Sequence, residues 1–127
     1  MSINHVVISG NLTRDPELRQ TASGMAILTL GIAVNDRRKN PQTGEWEDVP
    51  NYFTVKVFGK RAESLESKLA KGSKVYVDGR LSWSQWESNG EKRSKVEIIA
   101  NVFEYERRND RDAQPAQQSL YDDDIPF

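Results

Sequence analysis

The stretch Tyr52-Phe53-Thr54-Val55-Lys56-Val57-Phe58 reads most directly as chemistry. In an extended strand successive side chains leave on opposite faces, so Phe53, Val55 and Val57 share one face and Tyr52, Thr54, Lys56 and Phe58 the other. The first face is apolar and belongs in a core. The second interleaves two rings with an ammonium group, a combination that stacks on unpaired nucleobases and neutralises phosphate; such stacking is worth about 1–3 kcal/mol per base. Packing on a partner subunit or an overlying loop suits this face equally, and the stretch alone leaves both readings open.

A second segment repeats the pattern. Ser82-Trp83-Ser84-Gln85-Trp86 carries two indoles on a polar background, and Lys92, Arg93 and Lys95 follow. Trp83 and Trp86 have opposite parity, so a regular strand sends them to opposite faces unless a bulge intervenes. Trp86 shares parity with Arg80, Ser82 and Ser84 and is the candidate for base stacking; Trp83 goes with Val75, Val77 and Leu81, toward core or interface. Arg37, Arg38 and Lys39 form a short basic cluster. With Lys56, Arg80, Lys92 and Arg93 they are the candidate phosphate contacts. His5 has no carboxylate or second histidine near it in sequence and reads as structural.

Catalysis finds little to work with. There are no cysteines and a single histidine, which removes disulfides, thiolate nucleophiles and most triad or zinc arrangements. No Gly-rich phosphate loop and no spaced carboxylate set is present, and Asp122-Asp123-Asp124 lacks the spacing of an EF-hand loop. No catalytic residue, metal or cofactor is expected.

These residues must be held by a small β framework. Apolar residues mostly recur with period two from Ile3 to Tyr105, which predicts strands near Ile3 to Leu12, Met25 to Val34, Tyr52 to Phe58, Lys74 to Trp86 and Lys92 to Tyr105. Ser88-Asn89-Gly90 tolerates positive φ and should turn the last two into a long hairpin. One helix is expected from Lys60 to Lys71, with Ala62, Leu65 and Leu69 on one face and Gly72 as its stop. Asp36 to Asp48 reads as a loop or loose hairpin. Five strands with a helix between the third and fourth is the order of an OB-fold, a Greek-key barrel that often binds oligonucleotides; an SH3-like barrel or another small β fold fits the pattern as well.

The 127 residues allow one domain plus a tail, and eleven aromatics (3 Trp, 4 Tyr, 4 Phe) are enough to nucleate a core. A formal net charge of -1 conceals a division. Residues 1–108 hold 17 Lys and Arg against 14 Asp and Glu, a net of +3; residues 109–127 hold one Arg against five Asp, a net of -4. A basic body suits a polyanion, and the acidic end then needs a different partner. From Asn109 periodicity is lost, and the composition is that of a disordered linker. With no long apolar run or signal peptide, the expected location is cytoplasmic.

Several motifs now line up in order: Val7-Ile8-Ser9-Gly10-Asn11-Leu12 followed by Asp15-Pro16-Glu17 and Arg19, then Phe58-Gly59-Lys60, Lys71-Gly72-Ser73, Val75-Tyr76-Val77-Asp78-Gly79-Arg80-Leu81, and finally Asp122-Asp123-Asp124-Ile125-Pro126-Phe127. Together they resemble the bacterial-type single-stranded DNA-binding proteins (SSB) over roughly residues 1 to 105 and the last six. The resemblance implies an OB-fold, a homotetramer, sequence-independent wrapping of single-stranded DNA during replication, recombination and repair, and recruitment of other proteins through the tip. It puts Tyr52, Phe58 and Trp86 where the family stacks bases. Two departures stand out. Many relatives carry a tryptophan in the segment matching Asn35 to Lys39, and this chain does not; its linker is also short where relatives often have a long Gly/Gln-rich one.

The resulting organisation is an all-β, five-stranded OB-fold over residues 1–107 with one short helix, a linker at 108–121 and an acidic docking tip at 122–127. Asp122, Asp123 and Asp124 repel phosphate, while Ile125, Pro126 and Phe127 offer a ring, a stiff turn and a free carboxylate to an apolar, basic pocket on another protein. About a dozen linker residues span roughly 20 Å as a flexible coil. The competing functions are an OB-fold adaptor of the primosome type, against which the tip argues, and a nuclease, for which no metal-binding carboxylate set is present.

Overall fold

A computed structural model describes residues 2–107. The linker and tip expected at 108–127 lie outside the described residues. Along the chain run β1 (Val6–Leu12), β2 (Glu17–Gln20), β3 (Ala26–Lys39), β4 (Trp46–Phe58), α1 (Lys60–Glu66), β5 (Lys74–Ser88) and β6 (Glu91–Tyr105). The sheet order is β1-β5-β6-β4-β3-β2, and β1 also pairs with β3. That extra pairing, Asn11 opposite Ala33 and Leu12 opposite Ile32, closes five strands into a barrel and leaves β2 as a short arm on β3. Among the described residues all strand pairings are antiparallel except β4 with β6, where Val55 faces Ile98 and Lys56 faces Ile99. This is the five-stranded OB-type barrel expected from the sequence, with one added short strand.

The interior is aliphatic. Leu28, Leu30 and Ile32 of β3 meet Val55 and Val57 of β4, Val75 and Val77 of β5, and Ile98 of β6, all fully buried. Two glycines let the backbones approach. A Cβ on Gly10 would strike the carbonyl of Ala33 at the β1–β3 closure, and one on Gly79 would strike the carbonyl of Ile99. Both belong to motifs singled out in the sequence, and their role is packing. Beside Gly79 the β5–β6 ladder slips: Asp78 faces Val102 but Gly79 faces Ala100, leaving Asn101 as an extra residue. Arg61 of α1 donates to the carbonyls of Asn101 (2.8 Å) and Ala100 (3.2 Å), tying the helix to this bulge.

Several boundaries differ from the sequence reading. The first strand begins at Val6 because the Asn4 side-chain amide exchanges hydrogen bonds with the backbone of Leu81 in place of a ladder pair. Asp36 to Asp48 is largely strand: β3 and β4 stay in unbroken register out to Lys39 opposite Trp46, around a turn in which the Asn40 N–H donates to the Glu45 carbonyl (2.8 Å). The helix ends at Glu66, five residues early, where Lys68 N–H donates to Leu65 O and the Ser73 hydroxyl oxygen takes the N–H of Ala70, leaving Leu69 buried in the following turn. The last hairpin turns at Asn89 (φ 53°) and Gly90 (φ 80°), as expected.

Three side chains sit elsewhere than expected. Phe53, assigned to the core by alternation, is 40% exposed: it is opposite Ile32 but lies where β4 leaves the barrel. Trp83 is 61% exposed, which removes the core half of its core-or-interface reading: beyond Gly79 the β5–β6 ribbon projects past the core, and among the described residues little covers its inner face. His5 does have a carboxylate beside it, Asp78, with Nε2 2.9 Å from Oδ1. Asp78 is on the neighbouring strand, 73 residues away in sequence, and only strand pairing brings it near.

Candidate nucleic-acid interface

Directly opposed strand residues share a face. On β3–β4 the pairs Ile27/Phe58, Thr29/Lys56, Ala33/Tyr52, Arg37/Asp48 and Lys39/Trp46 therefore lie on one side, outward from the barrel. Lys56 stands opposite Ile99, and Ile99 opposite Arg80, which carries the same face across to β5 and β6; there it continues through Ser82/Glu97, Ser84/Lys95 and Trp86/Arg93. Tyr52, Phe58 and Trp86 thus share one surface, with Lys56, Arg80 and Arg93 among them; parity within each strand groups Tyr52 with Phe58 and Trp86 with Arg80, and only the strand pairing joins the two sets. Tyr52 is 70% exposed and Trp86 42%, so both rings have a face open to solvent.

The basic cluster divides. Arg37 and Lys39 lie on this surface, whereas Arg38 pairs with Glu47 and Lys92 with Glu87 on the other side of their ribbons. Lys92 still reaches the ribbon end, where it lines an open recess of ≈ 340 Å³ with Gln85, Trp86 and Glu87. Trp83 and Trp86 remain on opposite faces of β5, since the only slip in that ladder is at Asn101 on the return strand.

Two further residues belong to the surface: Trp46, whose contact with DNA the sequence leaves open, and Glu97, which it does not single out. Trp46, 59% exposed, extends the row of Tyr52 and Phe58 along β4, and the Arg37 guanidinium lies 5.9 Å from its ring centroid. Its even parity with Tyr52 is the available signal, which the loop-like composition of the segment masks. It places an indole opposite Lys39, on the ribbon where the missing tryptophan of the Asn35 to Lys39 segment left none. Glu97 is the other. Only 6% exposed, it lies between Lys56 Nζ (3.3 Å) and Lys95 Nζ (2.9 Å), and Lys95 Nζ lies 5.6 Å from the Trp86 ring centroid. Burial pushes the Glu97 carboxyl up, but the two ammonium groups outweigh it and hold the group below its ordinary range.

The chemistry such a surface supports is non-covalent: flat rings for bases and cations for phosphates. Among the described residues no group of three or more His, Asp or Glu side chains could hold a metal ion, and no helix is long and apolar enough to cross a membrane.

Comparison with known proteins points the same way. Over 101 residues, 78% of this chain, it is 50% identical to the single-stranded DNA-binding protein of Borreliella burgdorferi, and over 98 residues, 77% of the chain, 43% identical to that of Treponema pallidum. The crystal structure of the wild-type single-stranded DNA binding protein from Thermus aquaticus superposes with a TM-score of 0.71 at 36% identity, covering 84% of this chain. These proteins are longer: the match spans 66% and 54% of the two relatives and 52% of the Thermus chain. Since the model of the single-strand binding protein family matches residues 3–106, nearly the whole described barrel and both ribbons, the chain belongs to that family.

Proposed function

We propose that this chain binds single-stranded DNA stoichiometrically and without sequence preference, as a binding protein and not an enzyme. The observation that carries the reading is the single outward surface on which Tyr52, Phe58 and Trp86 alternate with Lys56, Arg80, Arg93, Arg37 and Lys39. Rings accept any base because every base has a π-face, and cations read only phosphate, so affinities for mixed sequences fall within about one decade of each other. Duplex DNA offers no free base faces and binds far more weakly. Titrating intrinsic tryptophan fluorescence with poly(dT) tests this: strong quenching at fixed stoichiometry without cleavage is expected, and a short duplex that outcompetes dT oligomers overturns it.

In this reading the protein covers single strands exposed in replication, recombination and repair, in the cytoplasm at the bacterial nucleoid. Asp122 to Phe127 recruit other proteins: deleting Phe127 abolishes partner pull-down and leaves DNA binding unchanged. It acts as a homotetramer, a reading supported by exposed apolar side chains that one protomer leaves uncovered, Val7, Tyr76 and Val102 on the outer wall and Phe53 at the barrel end. Phe103 and Tyr105 do not contribute, since one is buried and the other packs against the core. Sedimentation as a monomer at micromolar concentration overturns the assembly.

A further inference from the structure

Glu97 is out of place on a surface meant for a polyanion. Its negative charge repels phosphate, and a buried carboxylate costs stability unless it is paired. Here each carboxylate oxygen has its own ammonium group, Oε1 with Lys56 and Oε2 with Lys95. The two lysines come from different strands, β4 and β6, so the carboxylate spans the parallel junction of the barrel. On β5 the residue opposite it is Ser82, which brings no charge.

The lysines themselves are well placed. Lys56 shares its face of β4 with Tyr52 and Phe58, and Lys95 lies over Trp86. A lysine on a flexible four-carbon stem has many rotamers, and confining it needs a fixed partner. A buried, doubly engaged carboxylate is such a partner. We propose that Glu97 is a positioning residue: it fixes Lys56 and Lys95 between the stacking rings, and through Lys95 it holds the Trp86 indole in place before DNA arrives. Because Glu97 already compensates part of their charge, the two lysines release fewer counterions to DNA than two free lysines would.

This inference rests on the single-stranded DNA reading, and its test separates the two. The full chain carries Trp46→Phe and Trp83→Phe, so that Trp86 is the sole indole, and Glu97→Gln, Lys95→Met and their combination are compared by emission without DNA and by dT-oligomer affinity across a salt series. Glu97→Gln is expected to shift Trp86 emission in the absence of DNA, to weaken binding about tenfold at high salt, and to steepen the slope of log K against log salt by up to about 0.7, the change for one more phosphate contact on a single strand. Lys95→Met should reproduce the emission shift, and adding Glu97→Gln to it should shift the emission no further. Weaker binding with unchanged emission and slope makes Glu97 merely structural and overturns the proposal, as does unchanged binding. Should Glu97→Gln fail to fold, unchanged Trp86 emission in Lys95→Met overturns it as well. If the parent protein fails to bind dT at all, the DNA reading falls, while the emission shifts still report whether Glu97 positions Trp86.

Discussion

The barrel and the two ribbons that project from it are made of the same strands and put alternation to different uses. Within the barrel, alternate residues of β3 and β4 separate a fully buried interior from the outer surface: Leu30 faces Val55 and Leu28 faces Val57 at zero exposure. Past the barrel the same strands run on, yet Trp46, Trp83 and Trp86 are all open to solvent. There alternation sorts one wet face from another. A side chain turned into the barrel therefore acts first on folding, and one on its outer face or on a ribbon acts first on what binds.

The largest effects should come from the barrel. Leu30→Ala removes a buried side chain and leaves a cavity, which is expected to cost about 2–5 kcal/mol of stability. Gly79→Ala drives a methyl group into the Ile99 carbonyl and should cost about 1–3 kcal/mol. Denaturant unfolding measures both, and an unchanged midpoint for Leu30→Ala breaks the division between barrel and ribbon.

Next come the stacking rings. Tyr52→Ala and Trp86→Ala should each weaken dT-oligomer binding by about 1–3 kcal/mol, while their unfolding midpoints stay within about 0.5 kcal/mol of the parent. Phe58→Ala should weaken binding similarly but also cost some stability, because Phe58 is half-buried against Ile27. Equal losses of stability across all three would mean that this face supports the barrel rather than a ligand.

Trp46→Ala sharpens the comparison further. Six residues along β4 from Tyr52, Trp46 stands about 20 Å away at the strand rise. Only an oligonucleotide long enough to run from the barrel onto the β3–β4 ribbon can reach it. The expected loss is about 1 kcal/mol for long dT oligomers and none for short ones. A loss that does not depend on length places the effect elsewhere.

Acid should distinguish the regions by a smaller amount. The Glu97 carboxyl is held below its ordinary range, so its folded value lies under its unfolded one, and it contributes stability that is present above the ordinary carboxylate range and is lost as pH falls through the folded value. Lys56 and Lys95 are the charged groups facing it. Glu97→Gln should therefore make acid unfolding less steep. If burial governed instead, the substitution would make it steeper.

How much of this was legible in the sequence follows the same division. Where both faces of a strand have different solvents, as in Tyr52 to Phe58, period two identified the core residues Val55 and Val57 and the outward Tyr52, Lys56 and Phe58. Where a ribbon has water on both sides, residues 36–48 carry no hydrophobic pattern, so the sequence there suggests a loop and Trp46 does not stand out. Phe53 failed for a related reason, since parity predicts a face but not where the barrel ends. His5 with Asp78, and Lys56 with Glu97, depend on pairings between strands far apart in sequence. Lys95 and Glu97, two apart on one strand, were within reach of parity, but nothing local shows that the carboxylate is buried.

The smallest expected effect belongs to Trp83. Alternation assigns it to the inner face with Val75 and Val77, and on that basis Trp83→Ala should destabilise the fold. The structure reverses the expectation, because its opposite neighbour Val96 and its strand neighbour Leu81 are themselves exposed and bury little of the indole. Within one protomer its removal should change stability by less than about 0.5 kcal/mol. It also faces away from Trp86, so dT affinity should not change. What it does form, with Leu81 and Val96, is an apolar strip on the inner side of the β5–β6 ribbon, and an indole at the centre of a protein contact is the kind of residue whose truncation costs most. Sedimentation of Trp83→Ala alongside the parent therefore separates two outcomes. An unchanged oligomer leaves the strip as ordinary ribbon surface, and a dissociated one makes it a subunit contact. Lowered dT affinity with the oligomer intact would contradict the face assignment on which the ribbon comparison depends.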